Sequence, residues 1–152
     1  MWRVWPGALG IEMKITVEMP WEKRCLTVNH MRFGKAGGYR KKPKTQAWMG
    51  KLAADVNEAA QGEGLKYKIR VVRDKLRYEL LSPELVKLPL KATVDFRYPD
   101  KRRRDDHNFY KVICDAVAAG LGIDDKDIRI STGTVEVDRE NPGFTITVED
   151  EG

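Results

Sequence analysis

Cysteine is almost missing: Cys25 and Cys114 are the only two in 152 residues. Two thiols so far apart in sequence make neither a zinc motif nor a disulfide framework, which excludes the small stapled secreted classes and fits a reducing cytoplasm. A run of about 18 apolar residues is also missing, so no membrane-spanning helix is expected. The opening "MWRVWPGALGIEMKITV" has neither the long apolar region nor the small-residue cleavage site of a signal peptide. There is no internal repeat and no low-complexity tail. The expected location is the cytoplasm.

What the chain has in quantity is charge. Lys and Arg number 28 against 23 Asp and Glu, a net charge of +5, and charged residues reach 34%, above the usual figure of about 25%. The apolar share of 41% still supports one core, and the length suits one domain. Cations come in runs, "YRKKPK" at 39–44 and "DKRRRDD" at 100–106. Such runs attract polyanions by releasing condensed counterions, so nucleic acid is the expected partner, ahead of a membrane or a small molecule. A solvated, solubilising face is the plain alternative for either run alone.

"KITVEM" (14–19) alternates Ile15, Val17 and Met19 with polar residues, the period of a strand buried on one face. The stretch 20–44 is rich in glycine and cations and reads as a mobile basic loop. Helical spacing of Trp48, Met49, Leu52 and Val56 predicts a helix over 45–64, with Thr45 as its cap and Gly62 as its stop. Segments 66–72 and 75–81 predict a hairpin, with a helix over 76–86 left open. "LPLKATVDFRYP" (88–99) is the cleanest strand, and three more are expected at 127–130, 134–137 and 144–148, the last two joined by a turn through "ENPG". The result is an α+β fold, a single domain with a mixed sheet packed by two main helices on one or both faces. Residues 1–12 read as an N-terminal extension to a domain spanning 13–152.

The stretch "RRRDDHNFYKVICDAVAAGLGIDD" (102–125) carries the chemistry. Phe109, Val112, Ile113, Ala116, Val117 and Gly120 form the apolar stripe of a helix, while Asn108, Lys111 and Asp115, three and four residues apart, stack on one polar face. Asp105 and Asp106 stand where the helix starts and are candidates for capping, which needs one of them. Asp124 and Asp125 follow the glycine stop, in a turn able to bring them back beside the helix start or to cap the next segment.

The order of these residues resembles the RusA-like family of Holliday-junction resolvases, whose signature is an arginine-rich run, then Asp, any residue, Asp-Asn, a Lys three residues on, an Asp four residues after that, and an Asp pair about ten residues later. Here the series is Arg102, Arg103 and Arg104, then Asp105, His107, Asn108, Lys111, Asp115, and Asp124 with Asp125. The resemblance is strongest over 91–130. "LTVNHM" (26–31), which contains Asn29, is similar to the family's amino-terminal half, and residues 65–87 have no part in it.

The resemblance implies a homodimeric, Mg²⁺-dependent endodeoxyribonuclease that nicks four-way or other branched DNA junctions. It implies Asp105 and Asp125 as metal-binding carboxylates, Lys111 as a catalytic or phosphate-contacting cation, and Asn29, Asn108, Asp115 and Asp124 in support. His107 stands where the family has its second aspartate. An imidazole suits Mn²⁺ better than Mg²⁺ as a third metal ligand, and His107 is alternatively a base that activates water. Arg40, Lys41, Lys42, Lys44 and the three arginines at 102–104 would grip phosphates without reading bases. Two rival readings stand beside this one. The first is a DNA-binding module of the same fold whose metal site is broken at His107. The second is an RNA-binding domain, which rests on charge alone because the aromatic-rich Gly-Phe strand of common RNA platforms is lacking.

Overall fold

The computed structural model describes residues 12–22, 32–33, 40–41, 43–102 and 104–151. The period-two segment forms β1 (Lys14–Pro20), burying every second side chain. Arg32–Phe33 (β2) and Arg40–Lys41 (β3) pair antiparallel, so the basic stretch read as a plain loop contains a short ladder. Most of that stretch, with Asn29 and Lys42, lies outside the described residues, as does the expected extension apart from Glu12.

Helix α1 (Pro43–Gly62) starts two residues before the expected cap. Proline suits a first helical turn, where its missing N–H has no partner to lose, and Thr45 is fully buried within the helix. A turn with Gly64 at φ +101° leads to the hairpin β4 (Tyr67–Val72) and β5 (Lys75–Leu80). Val72 pairs with Lys75, and the two turn residues, Arg73 and Asp74, have φ 51° and 63°, a mirror-image turn that matches strand twist. The helix left open over 76–86 does not form; only Pro83–Leu85 makes a 3-10 turn.

β6 (Leu90–Tyr98), α2 (His107–Leu121), β7 (Ile128–Val137) and β8 (Gly143–Asp150) complete the chain. The main sheet has the order β1-β8-β6-β7, with β7 parallel to β6 and the remaining pairs antiparallel. Parallel neighbours need a crossover, and α2 supplies it. One expectation changes here. Segments 127–130 and 134–137 are one strand, interrupted by a bulge opposite Asp95, whose carboxylate accepts the Thr134 N–H at 2.8 Å. The strands joined through "ENPG" follow one another as expected, and β6 lies between them in the sheet.

One face of the sheet, with Ile15, Val17, Met19, Leu90, Ala92, Val94, Phe96, Ile146 and Val148, joins Leu52 and Val56 of α1 and Val112, Ile113 and Val117 of α2 in a single core. The helices meet closely because Gly120 has no side chain where the Ala53 backbone passes, and Asn57 Nδ2 donates to the Gly120 carbonyl at 2.9 Å. The opposite face is polar: Arg97 Nη1 donates to Thr145 Oγ1 at 2.7 Å, and that hydroxyl donates to Glu18 at 3.1 Å. The fold is therefore α+β, one domain, with its two helices on one face of a mixed sheet.

Candidate functional site

The approach to α2 is fixed by an aromatic cluster. Trp21, Phe96, Tyr98, Phe109 and Phe144 pack with ring centroids 5.4–6.2 Å apart. Arg104 lies 5.2 Å over both Trp21 and Tyr98 and donates to Asp100 Oδ1 at 2.8 Å, leaving its side chain 15% exposed. A guanidinium stacked on rings and paired with a carboxylate is strongly located. Arg104 therefore holds the chain entering the helix, while Lys101 and Arg102 are exposed. Arg103 is outside the described residues.

The two aspartates at the helix start divide their tasks. Asp105 Oδ1 accepts the His107 N–H at 3.0 Å, taking one of the unpaired donors of the first turn. Asp106, at the N-cap position, makes no capping bond with its side chain and instead accepts from the Tyr98 hydroxyl. Burial, then this bond to Asp106, raises the Tyr98 pKa far above the usual phenol range. Capping thus explains Asp105 and leaves Asp106 as a tie between β6 and α2.

His107 is well placed for a residue with a side chain 78% exposed. Its Nδ1 lies 3.1 Å from Asp105 Oδ1, and its ring meets Tyr110 edge-on at 4.9 Å. Tyr110 in turn bonds Thr132 on β7 through its hydroxyl. Hydrogen bonding at Nδ1 favours the tautomer with its proton there and a free lone pair at Nε2.

One turn further along the same face, Lys111 Nζ sits 3.2 Å from Asp115 Oδ2. The helix ends as its glycines foretell: Gly122 at φ 71°, with Gly122 N–H to Ala119 O at 3.3 Å and Ile123 N–H to Ala118 O at 3.1 Å, the paired bonds of a Schellman stop. This turn carries Asp125 back to the middle of α2. Its carbonyl accepts from Cys114 Sγ at 3.7 Å, and its carboxyl is close enough to those of Asp124 and Asp115 to feel their charge. Sharing with Asp124 first, then Asp115, holds the Asp125 carboxyl above the usual carboxylate range. Asp124 goes the other way because it caps the following 3-10 turn, accepting from Lys126 N–H at 3.0 Å. Burial, then Asp125 and Asp115, pushes the Cys114 thiol up to about 11, which keeps it protonated and inert at neutral pH. A return of this turn to the helix start, one of the two positions the sequence allows, does not occur.

The polar face therefore carries two groups: Asp105 with His107 at the start, and Lys111, Asp115, Asp125 and Asp124 at the middle. His107 and Asp115 are separated by about 12 Å along the axis. Among the described residues no three His, Cys, Asp or Glu side chains are grouped to hold a metal ion. Asp105 and His107 stand at the helix start, and Asp125 lies against its middle. Asn108 is half-buried beside His107 and Lys44 is exposed at the start of α1. Arg40 and Lys41 lie on β3.

Reading along the sequence misses the Tyr98–Asp106 tie, the stacking of Arg104 and the support of His107 by Tyr110. Their only sequence signal is the aromatic content of 88–110, which is equally a signal of core.

No helix among the described residues is long and apolar enough to cross a membrane. No curated protein matches the chain significantly. The family model described as endodeoxyribonuclease RusA matches residues 25–149, which includes the whole of α1, the hairpin, β6, α2 and β7. With a match over most of its length, the chain belongs to the RusA endodeoxyribonuclease family.

Proposed function

We propose that this protein is a structure-specific endodeoxyribonuclease that hydrolyses phosphodiesters in four-way or other branched DNA and works as a homodimer in the cytoplasm. The observation that carries the reading is the single face of α2 on which His107, Lys111 and Asp115 follow at four-residue intervals, with Asp125 brought beside Asp115, in a chain of this family.

The residues divide the chemistry by type. His107 Nε2, left free by the Nδ1 contact with Asp105, accepts a proton from the attacking water. Lys111 is a compact cation for the extra negative charge on the phosphorus oxygens at the transition state. Asp115 holds Lys111 in place. Asp125 stands behind it, and its all-oxygen surroundings with Asp124 and Asp115 match a hard divalent ion such as Mg²⁺ in ligand type, although the count of grouped donors falls short. Arg102 and Lys44, both exposed, with Arg40 and Lys41 on β3, supply phosphate contacts. Two identical sites about a two-fold axis match the symmetry of a junction.

A second reading follows from the lack of a three-donor group among the described residues: a DNA-binding module of this fold that no longer cleaves. Labelled junctions incubated with Mg²⁺ or Mn²⁺ separate the two. Nicking is expected from the parent protein and is expected to vanish in Asp105→Asn and Asp125→Asn. Lys111→Ala should lose cleavage while its junction affinity stays within a few-fold, since one cation among many contacts adds little to binding. Gel retardation by the parent with no nicking in either metal would establish the module and overturn the enzyme.

A further inference from the structure

The hairpin β4–β5 is not part of the main sheet, and its two faces differ completely. On one, the register sets Tyr67 beside Leu80, Ile69 beside Tyr78 and Val71 beside Leu76; on the other, Lys68 beside Glu79, Arg70 beside Arg77 and Val72 beside Lys75. The base of the apolar face is anchored. Tyr67 Oη donates to the Leu121 carbonyl at 2.8 Å, and Gly122 lies against the backbone of Tyr78 and Leu80. From there the arm projects, leaving Val71 at its end 70% exposed.

Two arginines directly across an antiparallel pair repel each other. Arg70 is relieved by Glu79 at 3.0 Å, whereas Lys68, Arg73, Lys75 and Arg77 form no ion pair among the described residues. A merely solubilising face would alternate its signs; this one concentrates cations around one acid. Lys75 and Arg77 point to the same side about 7 Å apart, and one DNA strand offers a charge every 3.4 Å of axis. The placement matters as well as the sign. The hairpin segment 73–78 lines a groove of about 980 Å³ that also carries Asp115 and Asp125, so the arm stands next to the middle of α2.

We propose that the charged side of the β4–β5 hairpin is a DNA-backbone-binding arm, holding a sugar-phosphate strand next to the Lys111–Asp125 end of the site. The inference rests on the DNA reading above. It adds a contact region in residues 67–80 to the basic runs at 39–44 and 100–106.

The test is binding of a fluorescent four-way junction, without divalent ions, by the full chain over about 50–200 mM salt. Lys75→Gln/Arg77→Gln is compared with Lys14→Gln/Lys91→Gln, an equal loss of exposed charge on the main sheet. The hairpin pair should bind roughly tenfold more weakly at low salt and flatten the slope of log K against log salt by about 2, close to 0.9 per phosphate lost. The sheet pair should stay within about twofold of the parent. Equal behaviour of the two double variants, with the parent binding normally, overturns the arm and leaves the nuclease reading intact. A parent protein that binds no DNA overturns both.

Discussion

At the level of single residues, the carboxyl of Asp125 shows what placing acids together costs. Its pKa is raised by Asp124 and Asp115, so the folded chain holds that proton more tightly than the unfolded chain does. Stability contributed by the proton is therefore present at low pH and is lost as pH rises from the ordinary 3.8 through the raised value. Asn cannot titrate and does not repel its neighbours. Asp125→Asn should accordingly melt higher than the parent at pH 7, with the advantage shrinking as pH falls through that window, as thermal melts across pH 3–7 would record. A variant that melts lower at pH 7 would mean that Asp125 is held by favourable contacts instead. Stability gained together with activity lost is the usual signature of a group kept for function. The polar spacing of Asn108, Lys111 and Asp115 was legible in the sequence because a helix maps spacing onto direction. The pairing of Asp106 with Tyr98 was not, because it joins a helix start to the end of a strand, a relation that only packing defines.

Among the elements, the end of α2 decides where Asp124 and Asp125 go. Gly122 at φ 71° reverses the chain, and a side chain there would press on the Tyr78 carbonyl, 2.8 Å from an ideal Cβ. Gly122→Ala should cost at least about 1 kcal/mol from backbone strain and lower the melting temperature by roughly 2–4 °C. It should also weaken cleavage more than stability alone accounts for, because the turn carries Asp125. Chemical denaturation beside a nicking assay checks both, and full activity would show that the turn tolerates the shift. α2 and β6 were legible because their apolar periods, 3.6 and 2, are strong and unbroken. α1 was displaced by two residues because Pro43 opens a helix as well as Thr45 caps one. The bulge in β7 made one strand resemble two.

For the molecule as a whole, apolar surface remains at the edge of the sheet. Val135 and Val137 on β7 are 51% and 43% exposed, and among the described residues β7 has no strand on its outer side, the arrangement of an edge that pairs or must be protected. The proposed homodimer predicts a sedimenting mass of twice 17.4 kDa at micromolar concentration. Val135→Lys, which places charge on that edge, reduces it to one if this surface is the interface. A monomer in the parent protein refutes the dimer without touching the fold.

The sequence by itself determined most of the elements, the α+β class and the likeness to the family, since hydrophobic period, turn glycines and the order of polar residue types are local properties. Only the tertiary structure decided that β6 separates β7 from β8, that Asp125 returns to the middle of α2, and that the Asp105–His107 pair stands apart from it. Those outcomes depend on how a crossover helix packs on a sheet and where its closing turn points, and neither is written in the spacing of residues along the chain.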